Sequence, residues 1–235
     1  MIDSDTFNMS SISIILGDKF FKKDPQSSDL GRRIVSEGLV MLDSLGFEEF
    51  TFKKLAECIA STEASIYRYF KNKHKFLLYL SSYYWAWLEY VIAFETHHIS
   101  NPSEKLDRII DIVCGSYDLP KVLDVPGISL SKLRHVIDSE SDKTYLNRQV
   151  DEINKKGLFR GYKELCGTIS SVIEEINPKY EYPKALVSTF MEAAHQQSFF
   201  AQHLPSLTEL SVGKDLKLEV QIAGFIKHAV KSSLK

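Results

Sequence analysis

Apolar side chains recur at intervals of three and four along most of this chain, and no stretch alternates convincingly enough to read as a strand. Phe52, Leu55, Ala56 and Ile59 form one such stripe, Ile66, Tyr67 and Phe70 a second, and Leu77, Leu80, Tyr84, Leu88 and Val91 a third. Proline and glycine set the breaks: near Ser100-Asn101-Pro102, from Leu119-Pro120 to Pro126-Gly127, at Asn177-Pro178 with Pro183, and from Pro205 to Gly213. The pattern predicts nine helices, at about 29–45, 52–59, 62–69, 73–98, 103–118, 128–139, 143–176, 184–204 and 214–233, in an all-α fold.

The stretch from Thr51 to Lys73, TFKKLAECIASTEASIYRYFKNK, predicts two short helices around a tight turn with a third helix following at once. Ala56 is small where a second helix has to cross closely, and Thr62 is placed to N-cap that second helix. With Ile66, Tyr67 and Phe70 on the apolar side, Glu63, Ala64, Ser65 and Arg68 face outward. Small and polar residues on the N-terminal half of such a helix let its backbone approach base edges in the major groove. Arg68, Tyr69, Lys71, Lys73 and Lys75 then supply positive charge and a hydroxyl for phosphate contacts, which give affinity and register without sequence choice.

From Arg32 to about Leu78 the chain resembles the N-terminal domain of the TetR family of transcriptional regulators. The resemblance rests on RRIVSEGLVMLDSLG ending at Gly46, then Phe47, the Thr51-Phe52 helix start, the Leu55-Ala56 pair and IYRYFKNKHKFL. It implies that Thr62, Ser65, Tyr67, Tyr69 and Lys73 lie at a DNA surface, with Lys73 opening the fourth helix. Thr51, Glu63, Arg68 and Lys71 complete the expected DNA-binding set. Two positions depart from the family pattern. Ala60 falls where the turn often requires a positive φ, at a cost on the order of 1 kcal/mol. Glu63 puts a carboxylate where phosphates repel it, unless it accepts from a cytosine amino group.

The resemblance also implies that the last two long helices pair with their copies across a two-fold axis. Leu186, Phe190, Ala193, Gln197, Phe200 and Leu204 make one seam, and Leu216, Val220, Ala223, Ile226, Val230 and Leu234 a second. Phe190, Gln197, Phe200, Leu204, Val220, Ala223, Ile226 and Val230 are the expected interface of a homodimer that matches a pseudo-palindromic operator. Between the two ends, aromatic residues at helical spacing suggest a cavity for a small-molecule effector of unknown identity. Tyr84, Trp87, Tyr117, Tyr162, His195 and Phe199 are its candidate contacts. The domain reading is a flexible extension over 1–27, a DNA-binding unit over 28–73, and a sensing and dimerisation unit over 74–235. The effector is expected to tilt the fourth helix and so release the protein, a repressor, from its operator.

Composition changes this picture only slightly. At 235 residues, 44% hydrophobic and 26% charged, the chain has the makeup of an ordinary globular protein. Its net charge of −2 does not announce a nucleic-acid binder, and from Gly17 to Lys75 eleven basic side chains meet nine acidic ones. Modest nonspecific affinity for DNA follows. Cys58, Cys114 and Cys166 are odd in number and far apart, which argues against a disulfide or zinc framework and for a reducing compartment. No apolar run approaches membrane-spanning length and the acidic start is unlike a signal peptide, so no membrane partner and a cytoplasmic location are expected. In the extension, Lys19, Lys22 and Lys23 form a candidate arm along the DNA backbone.

An enzyme is the minority reading. Glu95-x-x-His98 and Glu192-x-x-His195 have the spacing that serves di-iron carboxylate bundles, with Asp107 or Asp111 and Glu164 as nominal further ligands. The chain holds no nucleophile elbow, Walker loop, dinucleotide fingerprint or HExxH motif. No catalytic residue, metal or cofactor is therefore assigned. A third reading keeps the helical fold as a ligand or protein binder whose DNA-reading end has drifted at Ala60, Ser61 and Glu63.

Overall fold

Ser28 starts the first helix by accepting a hydrogen bond from the Gly31 amide at 3.2 Å, and Gly46, at φ 73°, ends its regular course. The computed structural model describes residues 14, 16, 20–123, 125, 127–145, 148–213 and 216–235, with only the backbone at 122, 141 and 145. Lys19 and most of the island from Ile12 to Leu16 lie outside the described residues. Among the described residues ten α-helices follow in order: α1 Asp29–Glu49, α2 Phe52–Cys58, α3 Glu63–Tyr67, α4 Lys73–Thr96, α5 Pro102–Cys114, α6 Leu130–Tyr145, α7 Val150–Lys155, α8 Arg160–Ile176, α9 Pro183–His203 and α10 Leu218–Ser233. Among the described residues there is no strand, only an isolated bridge between Val125 and Ile128. The fold is all-α.

The helix expected over 143–176 is three pieces, the end of α6, then α7 and α8. Gly157 causes the second break: it sits at φ 73°, its amide reaches the Asn154 carbonyl, and the Leu158 amide reaches Ile153. That pair of bonds is a Schellman stop. It turns Leu158 and Phe159 into the core, where both are buried. Gly115 closes α5 in the same way.

α4 is the spine. Its lower turns carry Phe76, which stacks on Phe50 with ring centroids 5.6 Å apart and meets Phe70 edge-on at 5.0 Å. α1 can lie against this cluster because residue 38 is glycine; a Cβ there would come within 2.6 Å of the Phe76 ring. The upper turns of α4 bury Leu80, Tyr84, Leu88 and Val91 among α5, α6 and α8. α9 and α10 pack on one another and on α5, closing the far side. Fifteen of the 24 residues of α4 are buried, so the helix is lined by protein on nearly every side and joins both ends of the molecule as one rod.

A candidate DNA-reading end and a divided cavity

At the reading end α2 and α3 form the expected pair. Thr51 caps α2 by accepting from the Lys54 amide at 3.2 Å, and Thr62 caps α3 by accepting from the Ser65 amide at 3.3 Å. Between them the Ala60 amide bonds the Glu57 carbonyl and the Ser61 amide bonds Ala56, the same Schellman stop with alanine in the glycine position. Ala60 has φ 49°, the only positive φ of a non-glycine among the described residues. The strain expected from the sequence is present.

Ile66 and Phe70 are buried beneath α3, which leaves Thr62, Glu63, Ala64, Tyr67 and Arg68 exposed, Ser65 half-buried and Lys71 exposed just beyond. Tyr69 is not at this surface. It is 3% exposed, and its hydroxyl shares a 2.7 Å hydrogen bond with Ser28. The chain entering α1 covers it: the Lys22 amide bonds the Tyr69 carbonyl at 2.7 Å, and Lys22 Nζ bonds the Tyr67 carbonyl at 3.1 Å. Phe20 and Pro25 are buried in the same seam, and Gln26 reaches the Tyr79 hydroxyl at 3.0 Å. Residues 20–27 thus lie folded against α3 and α4.

Lys73 opens α4 as expected, but its ammonium turns inward. Nζ donates to the carbonyls of Phe47, Glu48 and Phe50 at 2.8, 3.0 and 3.3 Å and sits over the Phe47 ring. Those are the carbonyls left over where α1 stops, so the lysine serves as a C-terminal cap. An ammonium held by three acceptors is poorly placed to serve a phosphate as well.

The same end of α1 is held by α6. Glu140, 7% exposed, accepts from the Phe47 amide at 2.8 Å and pairs with Lys143 at 2.7 Å. Asp43 takes Lys132 at 2.6 Å and His135 at 2.7 Å. Burial pushes the Asp43 pKa up, but the hydrogen bonds and charges of Lys132 and His135 outweigh it and hold the carboxyl below the usual aspartate value. Neither the Asp43 pairs nor the bond from Phe47 to Glu140 was legible in advance, since residues about 90 apart in sequence give no local signal.

The other side of α6 lines a cavity of about 440 Å³ between α4, α5, α9 and α10. Tyr84, Trp87, Tyr117 and His195 line it, joined by Ser131, Arg134 and Asp138 of α6. A second cavity, of about 740 Å³, carries Tyr162, Phe199 and Phe200. Asp138 and His195 belong to both and form the wall between them. All six residues expected to meet a ligand therefore line one cavity or the other. Tyr84 and Cys114 are buried deeply enough to push their pKa values up to about 12. Tyr117 donates its hydroxyl to Glu95 at 2.8 Å, and the Arg108 guanidinium lies 4.2 Å over its ring. Asp138 was missed; its only sequence signal is the spacing of four from Arg134.

The two ExxH pairs do not assemble. Glu95 is buried on Tyr117 and Arg108 while His98 is exposed, and Glu192 accepts from Tyr162 while His195 faces Asp138. Among the described residues no three His, Cys, Asp or Glu side chains are grouped to hold a metal ion. The cysteines are free and separate. Within the described residues, no helix is long and apolar enough to cross a membrane.

Half of the expected dimer set is used inside the chain. Phe190, Ala223, Ile226 and Val230 are each at most 3% exposed, because their stripes pack α9, α10, α5 and α8 together. They cannot meet a second copy while this fold persists. Left on the outer surface are Leu204, Val220 and Phe225, with Gln197 and Phe200 half-buried and Gly224 facing open space.

No protein-family model matches the chain, and no curated protein does either. Solved structures do. AibR, in its complex with isovaleryl coenzyme A and operator DNA, is 16% identical with a TM-score of 0.57, over 84% of this chain and 97% of AibR. A transcriptional regulator from Saccharomonospora viridis in complex with choline is 14% identical with a TM-score of 0.57, over 87% of this chain and 97% of that one. The fold is shared with both.

Proposed function

We propose that this chain, which has the fold of TetR-family transcriptional regulators, is a cytoplasmic DNA-binding regulator that works as a homodimer and is released from a pseudo-palindromic operator by a small molecule. One arrangement carries the reading: an outward-facing α3 packs on α2, α2 packs on α1, and α1 is tied to α6, which is also a wall of the proposed ligand cavity. A ligand that prefers one position of α6 biases the position of α3. Operator and ligand complexes of AibR, and the choline complex of the second relative, support both halves of it. The outer seam of Phe200, Leu204, Val220 and Phe225 is the face that a second copy covers.

The test is a selection of genomic fragments with purified protein and with Arg68→Ala, at two salt concentrations, together with sedimentation of the free protein. Enrichment of an inverted repeat that the variant loses, from a protein that sediments as a dimer, supports the reading. A monomer that enriches nothing at low salt refutes it.

A second reading, a ligand binder without DNA, is favoured by one observation: Glu63 is exposed on the reading face while Lys73 is withdrawn from it. It predicts ligand binding with no enriched fragment at any salt concentration.

A further inference from the structure

From Arg148 to Lys163 five basic side chains, Arg148, Lys155, Lys156, Arg160 and Lys163, meet only two acidic ones, Asp151 and Glu152, in a chain whose net charge is −2. This short segment is more basic than the stretch expected to read DNA. The fold decides where its charge goes. Arg148 and Gln149, at the start of α7, line one surface cleft with Asn72, the N-cap of α4, and with Phe47 and Glu48 at the end of α1. Just past α7 the Leu158 carbonyl accepts from the Ser82 hydroxyl at 3.3 Å. The helix therefore lies along the first turns of α4, over about 15 Å of its length. Ile153 is buried beneath it, which fixes its inner side and leaves Asp151, Glu152, Lys155 and Lys156 exposed.

That placement sets the α7 lysines against the reading end. Lys75, on the first turn of α4, feels the like charges of Lys156 from α7 and of Lys71 from the end of α3. Burial first, and those two charges with it, push its pKa below the usual lysine value, while Glu152 pulls it back. Glu152 is itself exposed and already paired with Lys156. Among the described residues Lys71, Lys75, Arg148 and Lys155 have no ion-pair partner. Folding thus gathers like charge from two parts of the chain onto one surface, where the ammonium groups repel one another until an anion lies across them. Exposed lysines set side by side suit a repeating charge better than a single small anion. A duplex is such a charge, with one phosphate per about 1.7 Å of axis, and the surface is continuous with Lys71, just beyond the candidate reading helix.

We infer that Arg148, Lys155 and Lys156 form a second contact with the DNA backbone, carried by α7 and the residue ahead of it, outside the α1–α3 head. They hold phosphates that flank the bases met by α3, adding affinity and salt dependence without sequence choice. This accounts for a head whose own charge is nearly balanced: part of the grip is supplied by the larger helical unit. The inference rests on the DNA-binding reading and adds a contact to it. α7 follows α6 directly in the chain, and α6 walls a cavity, so this contact would move with that wall.

The test is binding of the full-length protein to a fluorescent mixed-sequence duplex of about 30 base pairs, by anisotropy, over salt concentrations from about 20 to 200 mM. Lys155→Gln with Lys156→Gln is expected to reduce the slope of log affinity against log salt by about 2, and adding Arg148→Gln by about 1 more. Glu152→Gln should act in the opposite sense and tighten binding about twofold. Lys179→Gln with Lys184→Gln, exposed lysines where α8 gives way to α9, should change neither quantity. All these side chains are exposed, and an unchanged urea midpoint confirms that each variant folds. A slope unchanged in the α7 variants but lowered by Lys71→Ala overturns the inference and leaves the reading helix in place. A slope lowered as much by the distant lysine pair also overturns it. A slope lost in the α7 variants, with no inverted repeat enriched from genomic fragments, keeps the contact and defeats the operator reading. A parent protein that binds no duplex at the lowest salt overturns both.

Discussion

The backbone amide of Phe47 donates to Glu140 Oε1 at 2.8 Å, so the point where α1 stops is held by a buried carboxylate from a helix that also walls a cavity. The bond crosses 93 residues of sequence. It is also charge-assisted, and removing one partner leaves the other unsatisfied. Glu140→Ala should cost about 2–3 kcal/mol in urea denaturation. Glu140→Gln keeps an acceptor and should cost less, but should also weaken the effect of bound ligand on DNA affinity. A Glu140→Ala protein as stable as the parent would show that the bond carries no weight.

Lys73 and Lys71 should behave oppositely. Lys73→Ala frees three carbonyls at the end of α1 and is expected to lower stability by about 1.5–3 kcal/mol while leaving the salt dependence of DNA binding unchanged. Lys71→Ala, on an exposed side chain, should leave stability alone and reduce the slope of log affinity against log salt by about 1. Measuring both quantities on both variants separates a helix cap from a phosphate contact.

Ala60→Gly is expected to stabilise the protein. The left-handed conformation costs an alanine about 1–2 kcal/mol, and the greater freedom of unfolded glycine returns part of that. A net gain of about 0.5–1 kcal/mol follows, read as a raised urea midpoint with an unchanged slope. A loss would mean that the methyl group packs usefully at an exposed site.

Acid should loosen the α1–α6 contact through Asp43. Its pKa in the folded protein lies below the ordinary value of 3.8, so the unfolded chain takes up the proton first as pH falls. The stabilisation is therefore whole above the unfolded value and is lost as pH drops through the lower, folded one. Asp43→Asn should be less stable than the parent at pH 6, and the gap should shrink steadily below about pH 4. A gap that stays constant down to pH 2.5 would remove Asp43 from the account.

Much of the fold was legible because it is written in local signals. Thr51, Thr62 and Gly46 mark helix ends by chemistry that acts within one turn, and Ala60 announced its strain by standing where the turn reverses hand. The long helix expected over 143–176 was misread because its apolar stripe runs on through Gly157, and only the Schellman bonds reveal the stop. Tyr84, Trp87, Tyr117, Tyr162 and Phe199 were singled out as rings at helical spacing, and each lines a cavity. Asp138, Arg134 and Glu140 were not, because a charged residue on a helix reads as solvated until a distant segment is known to cover it. Tyr69 and Lys73 depart from expectation for the same reason: polar side chains next to the expected DNA-reading helix were assumed to face outward, and each has a partner within the chain instead. The seams of α9 and α10 show that periodicity reports a buried stripe without saying whose surface buries it.

The unbroken course of α4 has a mechanical meaning. Tyr84, on the cavity, and Lys73, at the reading end, are eleven residues apart on one helix, roughly 16 Å at about 1.5 Å per residue. Pivoted near the cavity, a tilt of about 10° carries the lower end sideways by roughly 3 Å, nearly the rise of one base pair. Two such rods in a symmetric pair would double the error between half-sites. In the ligand-released dimer proposed above, the helix would be a ruler as well as a spine, and a ligand would have only to misalign it slightly for the measurement to fail.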